Sequence, residues 1–300
     1  MIKPVITCII PTHGRSDLLR DALSSIFQQH PVTPTEIIVV DDLDDPATAS
    51  VVTEHASEQR KVRLTRITKH TGPYGASASR NIGAKAASSE WLAFMDDDDL
   101  WTSDHLTGLA EALQRNPQAD AVISWMGISR RGKTAPHFSI RESLGPDEVL
   151  ARNPGITGSN LLIRRSAYLS IGGFDPYLPV SNDKDLFYRL LTSGFSYAVS
   201  PRRTAVHRQH EGEQLTNWNE KRAQGMELFY QKHRNSLSLA DSRLLKRQIH
   251  SIRARTAPTP FQRGKHTLLM LLRSDLEGLQ SAARAAIRRL SHLPKLSPKP

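Results

Sequence analysis

Four consecutive carboxylates, Asp96-Asp97-Asp98-Asp99, follow the apolar stretch Trp91 to Met95 and precede Leu100-Trp101. Adjacent carboxylates repel one another, and burying any of them without a partner is costly. A divalent cation of the Mg²⁺ or Mn²⁺ type relieves that cost. Such ions take a few carboxylates and complete their shell with substrate phosphates. A solvated acidic turn capping a helix at Ser103 explains an acid run equally well. A second acidic step, Asp41-Asp42, ends the apolar run Ile37 to Val40. There a carboxylate can accept from a nucleobase or ribose, or simply cap a turn. Between them, Gly72-Pro73-Tyr74-Gly75-Ala76-Ser77-Ala78-Ser79-Arg80-Asn81 reads as a glycine-bearing turn that opens a helix. It offers backbone N–H groups and the Arg80 cation to an anion, without the pattern of a Walker loop or a dinucleotide fingerprint.

The elements around these groups alternate. Val5 to Ile10 is a β-branched apolar run ended by Pro11, as expected of a strand covered on both faces. Ser16 to Gln29 has helical periodicity, with Ser16 as its cap. Strands are predicted at Glu36 to Val40, Val62 to Ile67 and Trp91 to Met95, and helices at Pro46 to His55, Ala76 to Ala87 and Ser103 to Gln114. Repeated units of this length imply an α/β fold with a mostly parallel sheet, and open sheets of that kind bind ligands at the carboxyl ends of their strands. Both acidic steps fall at that edge. Beyond Ala121 the pattern is mixed: strands at Ala121 to Ile128 and Asn160 to Ile163, a helix at Lys184 to Ser193, and short strands at Phe195 to Val199 and Thr204 to His207. From Leu215 the chain reads as helical, with a break at Thr256 to Pro260.

Taken in order from Val5 to Thr216, these segments resemble the family-2 glycosyltransferases, whose fold is GT-A. The resemblance rests on Pro11-Thr12-His13-Gly14-Arg15, Asp41-Asp42-Leu43-Asp44-Asp45, Ser79-Arg80-Asn81, the Asp-x-Asp step Asp96-Asp97-Asp98, Gly172-Gly173-Phe174-Asp175, Asn182-Asp183-Lys184-Asp185-Leu186 and Arg208-Gln209-His210. It implies an inverting transferase that takes a sugar from a nucleotide-diphosphate donor and places it on an acceptor hydroxyl. Pro11, His13 and Asp42 would line the base pocket, with Asp42 favouring UDP or dTDP. Arg80 would stand near the base and diphosphate, and Asp97 would hold the ribose. Asp98 would be the main metal ligand, with Asp96 supporting it and His210 as an additional ligand or diphosphate contact; His207, on the same turn, is the other histidine that could reach the metal. Asp183 would be the general base. A developing nucleoside diphosphate needs a cationic clamp, and an acceptor hydroxyl needs a carboxylate to take its proton. A single base opposite the leaving group gives inversion. Three departures stand out: His13-Gly14 for Tyr-Asn, Leu43-Asp44 for Gly-Ser, and Asn182 for the Glu before the base. Trp101, Trp125 and Phe174 are candidates to stack on a sugar, although aromatic residues at such positions commonly belong to the core.

The net charge of +10 is unevenly placed: Arg243 to Pro300 holds 13 Lys and Arg against Asp275 and Glu277, and the rest holds 27 against 28 acids. Leu268, Leu272, Leu276, Leu279, Ala283, Ile287 and Leu290 recur at helical spacing beside Arg273, Arg284 and Arg288. A basic amphipathic helix of this kind suits either an anionic membrane surface or packing on the catalytic domain. It would fit a saccharide or lipid-linked acceptor in bacterial polysaccharide or glycolipid assembly. Nucleic acid is a poor partner for an acid-lined cleft. A nucleotidyltransferase would need a Gly-rich basic loop for a triphosphate. A catalytically inactive relative would need to lose more than the Glu replaced by Asn182. The single cysteine, Cys8, reads as a buried structural thiol, and no run is long enough to span a bilayer, so a cytoplasmic protein, peripheral at the inner membrane face, is expected. The expected organisation is a donor half over residues 1–120, an acceptor and base half over 121–235, and a basic helical extension over 236–300.

Overall fold

The computed structural model describes residues 4–58, 63–68, 75–209 and 218–274. The chain divides into two compact units, Met1–Glu213 and Gln214–Pro300.

The first unit is an α/β layer structure. Strands β1 (Ile6–Thr12), β2 (Glu36–Asp41), β3 (Arg63–Thr68) and β4 (Trp91–Phe94) pair in parallel, β3-β2-β1-β4. Helices α1 (Ser16–Phe27), α2 (Pro46–Glu58) and α3 (Ala76–Ala86) connect them. The continuous apolar runs have a direct cause. In β1, Ile6, Cys8 and Ile10 enter a core with Leu19, Leu23 and Ile26 of α1, while Ile9 enters a second core with Ala84 of α3. A strand buried on both faces has no solvent side to make polar. Burial also pushes the Cys8 thiol pKa up. The small residues of α3 have a steric reason: a Cβ at Gly83 would lie 2.5 Å from Ile9 Cγ2.

The sheet then changes direction. β8 (Leu161–Arg164) pairs antiparallel with β4 and with β6 (Ala121–Arg130), and β6 pairs in parallel with β9 (Tyr197–Arg208). A short strand β5 (Asp99–Trp101) pairs antiparallel with β9 and closes the order β3-β2-β1-β4-β8-β6-β9-β5, with β7 (Lys133–Pro136) hairpinned onto β6. Helices α4 (His105–Arg115), α5 (Arg165–Ser170) and α6 (Asn182–Thr192) cover this half. Several expectations change. Ser16 is the first helical residue and Arg15 holds the cap position, so Ser16 does not cap α1. Likewise α4 starts at His105, after Asp104. The two strands expected between Phe195 and His207 are one strand, whose register against β6 shifts around Trp125. β5, β7 and α5 are additions.

The second unit holds α7 (Glu220–His233), α8 (Leu239–Thr256) and α9 (Pro260–Leu271). Ala223, Ile249 and Ile252 form its small core with Met226 and Tyr230. Thus α7 packs with α8 in that core. The break at Thr256 to Pro260 is present, with Pro260 at the first turn of α9 and Thr259 accepting from Gln262 N–H. The remainder of the amphipathic pattern, from Leu276 to Leu290, lies outside the described residues.

Candidate active site

The acidic loop at the end of β4 is fixed from several sides. Asp96 N–H donates to Ser159 Oγ (3.0 Å), Asp99 N–H closes a turn onto Asp96 O (3.1 Å), and Arg208 Nε donates to Asp98 O (2.9 Å). The β5–β9 register places Asp99 opposite His207. His207 Nδ1 lies 2.9 Å from Asp99 Oδ1, and that bond raises the imidazole pKa. Asp97 turns inward, accepting from Thr12 Oγ1 (2.7 Å) and Arg15 Nε (3.1 Å). Burial pushes its pKa up to about 7, against the opposing pull of Arg15 and Thr12. Arg15 also donates to Asp98 Oδ2 (3.1 Å). Asp96 accepts from Arg80 Nη2.

The consequence is convergence. Asp96, Asp98 and Asp99 each offer an oxygen, and those oxygens lie within 4.8 Å of one another. Three converging carboxylate oxygens are a donor set suited to a hard divalent cation, with room in its shell for phosphate oxygens.

Arg80 and Asn81, adjacent on α3, organise the opposite wall. Arg80 is 4% exposed, its guanidinium 4.8 Å from the Phe174 ring centroid, and a Cβ at Gly158 would lie 2.7 Å from Nη2. Asn81 reads both backbone groups of Phe174: Nδ2 donates to its O (2.7 Å) and Oδ1 accepts from its N–H (3.0 Å). Arg189 of α6 donates to the carbonyls of Ile171 and Gly173 and pairs with Asp185 (2.7 Å). The Gly172-Gly173-Phe174-Asp175 turn is thus clamped between α3 and α6. Gly173, at φ +67°, is required there, because a Cβ would lie 2.4 Å from Asn81 Oδ1.

That clamp sets the start of α6. Asn182 Nδ2 donates to Ser77 Oγ (2.8 Å), tying the helix to α3, and Asp183 stands in its first turn. The helix begins two residues earlier than the expected Lys184 and takes Asp183 in. Asp183 is half-buried, and desolvation pushes its pKa up to about 6 while Arg80 pulls it down. Beside it, Lys184 is buried with Nζ donating to Leu150 O (2.9 Å), and desolvation lowers its pKa to about 8.

On the nucleotide side, Pro11 is buried in β1, and His13 follows it exposed. Asp42 is buried and accepts from Gly75 N–H (2.9 Å) and Ser79 Oγ (2.7 Å), so it joins the end of β2 to the start of α3. Leu43 is 54% exposed and packs toward Gly14, whose φ is +62°. Of the expected site residues, Arg80, Asp96, Asp97, Asp98 and Asp183 gather in one region. Pro11, His13 and Asp42 occupy the adjoining ends of β1 and β2. His210 and residues 72–74 lie outside the described residues. Trp101 is core, with Nε1 donating to Ser159 O (2.7 Å), and Phe174 is wholly buried. Trp125 donates to Ile140 O (2.8 Å) beneath Arg203.

Sequence reasoning gave no role to Arg15, Arg208 or Asp99, and weighed His207 only as a metal ligand, not as the partner of Asp99. Arg15 was visible only as the last residue of the Pro11-to-Arg15 motif, and Asp99 only as the fourth acid.

The sequence profile of glycosyl transferase family 2 matches residues 7–172, which include β1, both acidic steps, α3 and the Gly158 loop. The chain belongs to glycosyl transferase family 2. It is 30% identical over 148 residues to the succinoglycan biosynthesis protein ExoW of Rhizobium meliloti, an alignment covering 49% of this chain and 44% of that one. It is 25% identical over 196 residues to the putative teichuronic acid biosynthesis glycosyltransferase TuaG of Bacillus subtilis, covering 65% and 75%. Thus the chain matches less than half the length of ExoW. Among solved structures, the fold is shared with S. aureus TarS 1-349 in complex with UDP-GlcNAc (TM-score 0.58, 18% identity, 90% of this chain and 72% of that one). It is also shared with the mannosyltransferase PcManGT from Pyrobaculum calidifontis in complex with GDP-Man and Mn²⁺ (TM-score 0.64, 19% identity, 97% and 81%). The fold is therefore GT-A, and membership of the family makes this chain a glycosyltransferase.

Proposed function

We propose that this glycosyltransferase moves a sugar from a UDP- or dTDP-linked donor to an acceptor hydroxyl with inversion, Asp183 acting as general base. The observation that carries the reading is that Asp96 accepts from the buried Arg80 of α3, while the Asn182–Ser77 bond (2.8 Å) ties the first turn of α6, with Asp183, to the same helix. This joins a proton acceptor to a phosphate-side acid cluster in one wall. A carboxylate with a pKa near 6 is ionised at neutral pH yet basic enough to take a proton in the transition state.

Asp98, Asp96 and Asp99 would hold a divalent ion, Mn²⁺ or Mg²⁺, with His210 as a further ligand or diphosphate contact. When bound, the ion would neutralise charge building on the departing nucleoside diphosphate. The Mn²⁺ complex of PcManGT supports this assignment. Thr12 and Arg15 fix Asp97, which would meet the ribose. Pro11 and His13 would face the base. Asp42, oriented by Gly75 and Ser79, would accept from a pyrimidine N–H with a remaining lone pair. The UDP-GlcNAc complex of TarS favours a uridine donor, and the GDP-Man complex of PcManGT makes GDP the alternative.

The acceptor is a saccharide or lipid-linked saccharide of a surface polysaccharide. The names of ExoW and TuaG support that class. No helix among the described residues is long and apolar enough to cross a membrane. Work at the inner face of the plasma membrane would instead use α9 and its C-cap, where Phe261, Leu268 and Leu272 are exposed, in a unit holding 17 Lys and Arg against 5 acids. Replacing Phe261 and Leu272 with Ser should lower co-sedimentation with phosphatidylglycerol vesicles, and unchanged co-sedimentation would sink the membrane contact.

The central test is calorimetric titration with UDP, dTDP, GDP and CDP, with and without Mn²⁺, on the wild type and Asp98→Ala. Metal-dependent binding of UDP or dTDP, lost in the variant, is the expected result. Preference for GDP would reassign the base pocket, and binding indifferent to metal and to Asp98 would remove the metal site.

A further inference from the structure

Arg80 is held more tightly than a donor-binding arginine requires. Its guanidinium lies between the Phe174 ring, 4.8 Å from the centroid, and Gly158, where even a methyl group would come within 2.7 Å of Nη2. Nη2 donates to Asp96, whereas Nε and Nη1 are buried and make no hydrogen bond. Leaving two guanidinium donors unsatisfied costs free energy, and a site that retains them holds the group for its charge and position. Two carboxylates meet that charge: Asp96 accepts from it directly, and the Asn182–Ser77 bond (2.8 Å) sets Asp183, in the first turn of α6, against the face of α3 one turn before Arg80. Burial alone would lower the Arg80 pKa, yet Asp96 and then Asp183 outweigh it and raise it. On Asp183, burial raises the pKa while Arg80, and more weakly Lys184, lower it; Asp96 adds to the rise.

The bond to Asp96 also occupies the acid cluster. The Asp96 oxygen that accepts from Arg80 belongs to a carboxylate whose neighbours Asp98 and Asp99 converge within 4.8 Å. A divalent cation bound there would meet a fixed positive charge on one of its own ligands. Like charges at contact distance repel, and more strongly where burial keeps water from screening them. Metal and guanidinium therefore compete for Asp96.

We infer that Arg80 is a resident counter-cation shared by Asp96 and Asp183, which yields Asp96 to an incoming divalent cation and thereafter serves Asp183. This rests on the metal and base assignments proposed above. Arg80 is on this view a positioning residue. Its presence weakens metal binding in the empty protein and links metal loading to the ionisation of the base. A role confined to holding diphosphate would leave the nucleotide-free protein's metal affinity untouched.

The test is a Mn²⁺ titration of the nucleotide-free protein, read by the electron paramagnetic resonance of free Mn²⁺, on wild type, Arg80→Met, Arg80→Lys and Gly158→Ala. Arg80→Met should bind Mn²⁺ roughly five-fold more tightly or better, and Arg80→Lys should stay near wild type. Gly158→Ala keeps the charge but displaces the guanidinium from Asp96, so it should also bind more tightly. It guards against misfolding of the Met variant. Carbon-13 titration of the Asp183 carboxyl group, assigned with Asp183→Asn, should move upward in Arg80→Met and not in Arg80→Lys. Equal or weaker Mn²⁺ binding by both Arg80→Met and Gly158→Ala, with wild type binding normally, overturns the inference alone. Absence of Mn²⁺ binding in wild type and every variant overturns the metal assignment and the inference with it.

Discussion

Two acid-rich loops follow β2 and β4, the parallel strands on either side of β1, and their carboxylates have different fates. After β2, Asp41 accepts from Leu43 and Asp45 N–H (3.0 Å each) and from Arg66 Nη2 (2.7 Å), and Asp45 accepts from Ala47 and Thr48 N–H (3.1 and 3.2 Å). Local backbone donors and one arginine absorb their charge, so these acids build the turn that opens α2. After β4, the side chains of Asp96, Asp98 and Asp99 instead meet Arg80, Arg15 and His207, each from another element, and three of their oxygens remain gathered. An acid run becomes a candidate cation site when cations from distant elements, rather than its own turn, gather its carboxylates together. In the first loop, removing an acid should damage folding. In the second it should damage chemistry.

The largest expected effect is therefore at Asp98. Asp98→Ala should lower kcat/KM by about 10³-fold or more while melting within a few degrees of wild type. An unfolded variant would break the contrast. Asp183→Asn follows, with a loss of about 10²- to 10⁴-fold in kcat and nucleotide binding retained. The wild-type rate should fall as pH drops through about 6, where Asp183 gains its proton. A flat profile from pH 5 to 8 with a verified chemical step would remove Asp183 as the base.

Next comes the first loop. Asp41 is wholly buried and accepts from Arg66 and two backbone N–H groups, while Arg66 keeps Asp44 as a second partner. Asp41→Asn should reduce folding stability by about 2 kcal/mol in urea unfolding, with metal-dependent nucleotide affinity unchanged in the folded fraction. A variant as stable as wild type but unable to bind nucleotide would reverse the roles of the two loops.

The smallest effect is a difference in stability with pH. The folded-state pKa of Asp183 is raised from the ordinary 3.8 to about 6, so folding favours its protonated form. Ionised Asp183 thus destabilises wild type increasingly from about pH 4 and fully above pH 6. Asp183→Asn should melt higher than wild type at pH 8, with the difference vanishing at pH 4. A variant that melts lower at pH 8 would mean that Arg80 outweighs burial at this position.

Much of the first half was legible because its signals are local. A strand buried on both faces reads as an unbroken apolar run, as in Ile37 to Val40. A close helix–sheet approach reads as small residues, as around Gly83, and Pro260 marks the start of α9. Asp42, Arg80, Asp98 and Asp183 were placed by their order along the chain, which a shared fold preserves. β5 was not legible, since three residues of mixed polarity carry no periodicity and become a strand only when β9 supplies the ladder.

By itself, then, the sequence determined the alternation of strands and helices, the acidic steps at the strand ends, and the charge contrast between the 23 Lys and Arg against 25 acids of the first unit and the basic second unit. Tertiary structure decided which cation meets which acid. Arg15 reaches Asp97 across 82 residues, His207 reaches Asp99 across 108, and Arg80 comes to Asp96 from a different element. Such pairings leave no spacing to read, because the energy of an ion pair depends on distance and burial in the folded chain, and neither is a property of separation along it.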